Sequence, residues 1–291
     1  MLHTIQNARL TVAVSEQGAE LQSILGCDGT EYLWQGDPAY WAARAPNIFP
    51  YVARLTGESY YLDGALYHMN IHGIALYSRF RCISNNGAKL VMELTDDAGS
   101  YQKYPRHFSL QIIYALDGDT LFVTFRVENR DVRAMYYGIG GHPGFRVPLA
   151  DGLRFEDYRL RFHTPCRPMR IGFTKDCFLT GRSTPYPLPE NRYLPLHHGL
   201  FDDDAIVLTD MSRTVTLESP VSKQGVTVSF PDMPYLGIWH MPRTDAPYIC
   251  IEPWSSLPSV KDQIAVLEEQ PDLLSLAPGK SRENVWTIRI F

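Results

Sequence analysis

Gln111-Ile112-Ile113-Tyr114-Ala115-Leu116-Asp117-Gly118-Asp119-Thr120-Leu121-Phe122-Val123-Thr124-Phe125-Arg126-Val127 is the stretch on which the fold turns. Leu121, Val123, Phe125 and Val127 alternate with Phe122, Thr124 and Arg126. A period of two predicts a strand with one face on a core. Asp117-Gly118-Asp119 separates this run from residues 111–116, and Asp-Gly tolerates the positive φ of a tight hairpin. Strands joined so closely pair antiparallel.

The same signal spreads outward. Leu10, Val12 and Val14 alternate with polar residues, as do Val226, Val228 and Phe230, and Trp286, Ile288 and Ile290. Asp28-Gly29, Asp63-Gly64 and Asn86-Gly87 lie between apolar runs. Repeated hairpins predict an all-β, antiparallel, meandering architecture. Helical signal is confined to residues 259–270. Ser259 could cap that segment, Val260, Ile264 and Leu267 share a stripe, and Pro271 stops it. A short turn is predicted at residues 37–41. Residues 165–195 hold Pro165, Pro168, Pro185, Pro187, Pro189 and Pro195 and read as a long ordered loop over the sandwich. Apolar patterning resumes directly after it, so residues 1–291 are expected to form a single domain.

Composition narrows the function. A chain of 291 residues with 45% hydrophobic and 20% charged residues can bury a large core and is not a disordered type. The formal net charge of −5, with no run of Lys or Arg, excludes a nucleic-acid surface. It leaves room for an anionic small molecule, which needs only two or three local cations. Cys27, Cys82, Cys166, Cys177 and Cys250 are odd in number and form no C-x-x-C, which predicts reduced thiols in the cytoplasm. No short-spaced His/Cys cluster suggests zinc, and His197-His198 would point to opposite faces of a strand. No metal or cofactor is expected. The start, Met-Leu-His-Thr-Ile-Gln-Asn, has no basic and apolar signal pattern, and no apolar run is long enough for a membrane span.

Five spots could carry chemistry. In Gly140-Gly141-His142-Pro143-Gly144-Phe145, glycines and a proline shape an unusual backbone around a histidine suited to proton transfer. A turn histidine bonded to backbone fits these residues equally. Glu252, in Cys250-Ile251-Glu252-Pro253-Trp254, ends an apolar run. Apolar surroundings would raise its pKa into the range of a general base, whereas a strand-end glutamate facing water would stay ordinary. His72 precedes Gly73, which allows close approach of a ligand or simply a turn. Arg54, among apolar residues, calls for an anion, several acceptors or a structural carboxylate. Asp204 ends an acidic triple, a pattern also common on solvated surfaces. Trp34, Trp41, Trp239, Trp254 and Tyr136-Tyr137 offer faces on which a sugar could stack, with core packing the better reading for Trp34.

Together these segments resemble the aldose 1-epimerase family, nearest to its bacterial LacX-like branch, from about Ile5 to the C-terminus. The resemblance is carried by Gly18-Ala19-Glu20-Leu21, Glu31-Tyr32-Leu33-Trp34-Gln35-Gly36-Asp37-Pro38, Trp41 with Arg44-Ala45-Pro46, Phe49-Pro50-Tyr51-Val52-Ala53-Arg54, His72-Gly73 and Tyr104-Pro105. It continues through Gly141-His142-Pro143, Leu200-Phe201 with Asp204-Ala205, and Ile251-Glu252-Pro253-Trp254. It implies a large antiparallel β-sandwich, the galactose mutarotase-like supersandwich, with one or two short helices. It also implies that His142 gives a proton to the ring oxygen of a sugar while Glu252 takes one from the C1 hydroxyl. His72 would join the catalytic set and, with Arg54, contact the sugar near its reacting end. Asp204 would hold hydroxyls farther round the ring, and Trp239 is placed with the substrate-binding residues. The family often has Arg where this chain has Leu76. Arg79, three residues later, would face the other way on a strand.

The expected partner is a small-molecule sugar, with neither nucleic acid nor membrane, in a monomer or homodimer. Three other readings stand beside a hexose mutarotase. A hexose-phosphate epimerase would add rim cations from Arg44, Arg79, Arg146, Arg243 or Lys175. A non-catalytic sugar-binding module would bind without turnover. A glycoside hydrolase would need a second well-placed carboxylate.

Overall fold

The computed structural model describes residues 1–291. Strands Phe108–Asp117 and Thr120–Asn129 form the predicted hairpin, with Thr120 opposite Asp117 and Val127 opposite Leu110. Leu121, Val123, Phe125 and Val127 are fully buried, whereas Phe122 faces solvent. The C-terminal strand Ser281–Ile290 pairs antiparallel on the other side of Thr120–Asn129.

This hairpin sits within a nine-stranded sheet. Its order is Tyr193–Pro195, Arg159–Phe162, Thr214–Glu218, Gly225–Ser229, Ser281–Ile290, Thr120–Asn129, Phe108–Asp117, Lys89–Thr95 and Arg81–Asn85. An eight-stranded sheet lies across it. That order is Leu179–Pro185, Met169–Phe173, Ile206–Thr209, Tyr235–Trp239, Tyr248–Trp254, Gly140–Gly141 and Asn47–Ile48, with Gly144–Arg146 also paired to Tyr248–Trp254. Val123 and Phe125 of the first sheet and Leu208, Ile238 and Ile251 of the second share one apolar core. The arrangement is an antiparallel β-sandwich, as expected.

The second sheet also buries its outer face, and this positions the site. Along Tyr248–Trp254 every residue is buried. Ile249 and Ile251 enter the main core, while Tyr248 and Cys250 join a separate cluster with Trp34 and Ala246. Trp254 packs with Ile48, Val52, Ile171, Val207 and Leu257. Alternation therefore puts Tyr248, Cys250, Glu252 and Trp254 on one face, beneath an aromatic cover.

Two expectations are corrected. Residues 259–270 are not a helix: Ala265–Val266 is a strand parallel to Ser59–Leu62, followed by a 3-10 turn at Leu267–Glu269. Ser259 cannot start a helix because its N–H donates to the Arg54 carbonyl and its carbonyl accepts from Leu179, while its Oγ accepts the Thr56 N–H at 2.8 Å. Residues 165–195 are not one irregular loop, since Met169–Phe173 and Leu179–Pro185 pair antiparallel. Their prolines fall outside the strands, except Pro185 and Pro195, which end outermost strands where a missing N–H is tolerated. The one α-helix, Ala98–Lys103, lies elsewhere. It begins where Asp97 accepts the Ser100 N–H at 2.7 Å and Ser100 Oγ accepts the Asp97 N–H at 2.8 Å. No helix is long and apolar enough to cross a membrane.

Candidate active site

The segment from Pro46 to Arg54 organises the site through its backbone. The Pro46 carbonyl accepts the His142 N–H at 3.0 Å, and the Ala53 carbonyl accepts the His72 N–H at 2.9 Å. His142 follows the short strand Gly140–Gly141, in which Gly140 lies opposite both Trp254 and Ile48. A Cβ on Gly140 would stand 2.7 Å from the Pro253 carbonyl oxygen, so only glycine lets the chain approach that closely. The Pro143 carbonyl then accepts the Ile251 N–H at 3.1 Å, pinning the histidine turn to the strand that carries Glu252.

The result is a close pair: His142 Nε2 is 3.2 Å from Glu252 Oε2. Glu252 is 1% exposed, and His142 retains 12% of its side-chain surface. Trp41 packs on the His142 ring at 5.0 Å between centroids, and Trp239 meets it edge-on at 5.7 Å. A turn sets Trp41 there, since the Asp37 carbonyl accepts N–H bonds from Tyr40 and Trp41. Burial pushes Glu252 well above the carboxylate range, and the Asp204 charge adds to this. Burial likewise pushes His142 well below its ordinary value, assisted by His72. Both effects disfavour charge, so burial favours a protonated carboxyl beside a neutral imidazole.

This has a consequence for stability. The unfolded glutamate releases its proton near 4.5, whereas the folded one keeps it to higher pH. The folded chain thus binds more protons, and its stability falls as pH rises from about 4.5 through the raised folded value. Glu252→Gln is expected to abolish that loss. It should be more stable than the parent at about pH 8, by roughly 1–3 kcal/mol, with a smaller gap at acid pH. Thermal melts across that range test it.

His72 occupies a left-handed turn, with φ of 63° at His72 and 84° at Gly73. Its Nδ1 accepts the Ala53 N–H at 3.2 Å, so the ring proton sits on Nε2. Burial and the Arg54 charge push His72 down to about 4, leaving it neutral. Its ring stands edge-on to His142 at 5.5 Å. A Cβ on Gly73 would lie 2.2 Å from the Phe49 carbonyl oxygen. Gly73→Ala is therefore expected to cost about 1–3 kcal/mol and to lower kcat/KM by displacing His72. A melt read beside an anomerisation assay checks both.

All six sequence-derived site residues, His142, Glu252, His72, Arg54, Asp204 and Trp239, line one cleft of about 340 Å³. That is at the low end for small-molecule sites, roughly 300–1,000 Å³. Arg54 is exposed and forms no ion pair, so the structural carboxylate weighed for it is not there. Asp204 is half-buried at a φ of 73°. Its Oδ1 accepts the Ala205 N–H at 2.7 Å, and its Oδ2 accepts the Cys177 S–H at 3.0 Å. Leu76 lines the cleft from a 3-10 turn rather than a strand, while Arg79 is tied outside it to Glu16.

Sequence reasoning missed Cys177 and the apolar wall of Ile71, Tyr77, Phe173 and Val207. These come from distant segments, and no spacing rule joins them. It also passed over Cys250, although period two places it on the face of Glu252.

A β-sandwich whose one aromatic-rimmed cleft holds a buried histidine–glutamate pair defines a carbohydrate-acting class. The family model described as Aldose 1-epimerase matches residues 1–283. Protein LacX of Lactococcus lactis subsp. lactis is 33% identical, with 98% of each chain covered. The solved galactose mutarotase related enzyme from Lactobacillus acidophilus superposes with a TM-score of 0.95 at 30% identity, covering 100% of this chain and 97% of that one. A galactose mutarotase-like protein from Lactobacillus casei gives 0.93 at 29%, with both chains fully covered. The chain belongs to the aldose 1-epimerase family. It is an isomerase acting on carbohydrate, and its reaction is the interconversion of α and β anomers.

Proposed function

We propose that the cleft anomerises a free, uncharged aldose hexose, with Glu252 as base toward the C1 hydroxyl and His142 as acid toward the ring oxygen. The observation that carries this is the 3.2 Å contact between His142 Nε2 and Glu252 Oε2. The two oxygens that must exchange protons sit on one carbon, so the groups that serve them must be neighbours. The substrate enters between the pair and takes over their contact. As C1–O1 becomes a carbonyl, the O1 proton passes to Glu252, and His142 delivers a proton to O5 as the C1–O5 bond breaks. Rotation about C1–C2 presents the other face of the aldehyde, and reversal of both transfers closes the ring. Opposite protonation states are required: the proton that burial favours on Glu252 has to stand on His142 before the C1 hydroxyl is deprotonated, and the sugar hydroxyls and donors that replace the pair's contact stabilise that charged form. A glycoside hydrolase reading loses its support, because the partner of the buried carboxylate is an imidazole.

The neutral Nε2–H of His72 and the Arg54 guanidinium donate to oxygens near the reacting end. The remaining lone pairs of Asp204 accept from ring hydroxyls, and Trp239 offers an apolar face. Charge separates free sugar from sugar phosphate. Arg54 is the one Lys or Arg lining the cleft, against Asp203 and Asp204. Arg44 is held by the Gln22 carbonyl, Arg146 lines a different pocket beside Trp34, and Arg243 leans on the Asp202 carbonyl. Exposed Lys175 is not among the lining residues. A phosphate dianion would meet more negative than positive charge. Hexose 6-phosphates are expected to compete with free hexose at least about tenfold more weakly, a penalty of about 1.4 kcal/mol. The check is polarimetry or NMR of anomer exchange from pure α-D-glucose and α-D-galactose, with their 6-phosphates as competitors. Equal or stronger competition by the phosphates would overturn the uncharged-substrate reading. We further propose that residues 1–291 work as one mutarotase-like domain, as a monomer or homodimer, in the cytoplasm, where five unpaired cysteines are at home.

A further inference from the structure

Cys250 lies on the same strand face as Glu252, two residues before it, fully buried beneath the catalytic pair. Ligand atoms of His142, Cys250 and Glu252 all lie within 4.8 Å of one another. Two polar atoms there are buried without a hydrogen-bond partner: His142 Nδ1 and Glu252 Oε2. A thiol, an imidazole and a carboxylate form a donor set that suits a thiophilic divalent cation.

We infer that Cys250, His142 and Glu252 form a three-ligand site for a thiophilic divalent cation, Zn²⁺ or Cd²⁺, whose occupation switches anomerisation off. Tetrahedral zinc, with Zn–S near 2.3 Å and Zn–N and Zn–O near 2.0–2.2 Å, holds its ligands roughly 3.3–3.7 Å apart. The His142–Glu252 separation of 3.2 Å is already close to that. Drawing in the longest separation takes about 1 Å of side-chain movement. Charge balances, since the cation's two positive charges meet one thiolate and one carboxylate. The Cys250 S–H proton and the proton that burial favours on Glu252 both leave to solvent as the metal–ligand bonds form. A fourth position is left to water. Metal-ligating histidines ordinarily donate their second N–H to a fixed partner, and His142 Nδ1 has none. The site therefore fits a reversible inhibitory cation better than a resident catalytic one. Occupation engages the acid and the base together, so the cation and the sugar exclude each other.

The inference rests on the proposed acid–base pair for its effect on activity, but not for binding. Cd²⁺ titrated into the reduced, metal-free protein is expected to raise the ultraviolet charge-transfer band of a cadmium thiolate. Micromolar Cd²⁺ or Zn²⁺ should inhibit anomerisation competitively with sugar, and a chelator should restore it. Cys250→Ala should abolish the band, retain turnover and raise the half-inhibiting concentration at least about tenfold. Cys177→Ala, which removes the other thiol near the cleft, should keep the band. A band that survives Cys250→Ala, or equal inhibition of that variant and the parent, would overturn the site. Should Cys250→Ala fail to fold, displacement of the wild-type band by sugar decides, and a band indifferent to saturating sugar counts against it. Absence of anomerisation in the parent would sink the proposed function, while the cadmium band would still report on the metal site.

Discussion

Glu252→Gln is expected to reduce kcat for anomerisation by about 10²–10⁴, the contribution of one well-placed base. Glutamine keeps the shape and the strand position but cannot take the C1 hydroxyl proton. No nearby group replaces it. Asp204 is held by Cys177 and Ala205, and Cys250 is a buried thiol whose pKa burial pushes up. Since the substitution removes a buried carboxyl, the folded state should gain stability as activity disappears. That opposition separates a catalytic role from a structural one. Polarimetry beside a thermal melt gives both numbers. Activity within a few-fold of the parent would remove Glu252 from the mechanism.

His142→Asn is expected to cost a similar factor, and its pH dependence tells more. The parent needs one proton on the pair. Activity falls in acid as a second proton binds and in alkali as the last is lost, and both limbs belong to the pair rather than to either residue. Because burial drives His142 well below 6.5, the acid limb should lie well below that value. Because Glu252 is driven well above 4.5, the alkaline limb should lie far from an ordinary carboxylate titration. In His142→Asn the coupled pair is gone, and the residual rate should follow a single titration, that of Glu252 alone. His72 cannot substitute, since its Nδ1 is committed to Ala53 and its Nε2–H is held neutral down to about 4. A parent profile flat from about pH 5 to 9, with chemistry limiting, would count against both residues.

The sandwich was legible wherever one strand face is wet and the other dry. Leu121 to Val127, Val226 to Phe230 and Trp286 to Ile290 alternate because each strand buries one side, and Asp-Gly or Asn-Gly turns mark their ends. Legibility fails where that contrast fails. Tyr248–Trp254 is buried on both faces, so no alternation marks its outer side as a site. Residues 259–270 carry a helical stripe, yet Ser259 is engaged by Arg54, Leu179 and Thr56, partners distant in the chain. Local propensity loses there to long-range hydrogen bonds that a window of sequence does not contain.

The sequence by itself determined the antiparallel strands and their hairpins and, through resemblance, named His142, Glu252, His72, Arg54, Asp204 and Trp239 as candidates. Only the tertiary structure decided that these six meet in one cleft. Only it set Cys177 against Asp204, tied Arg79 to Glu16 outside the site, buried Glu252 and packed Trp41 and Trp239 on the His142 ring beside it. Side-chain type is a local property that spacing can reveal. A shifted pKa depends on how completely distant segments exclude water from a group and what charges they bring to it, and that is fixed when the sheet and its aromatic cover close together.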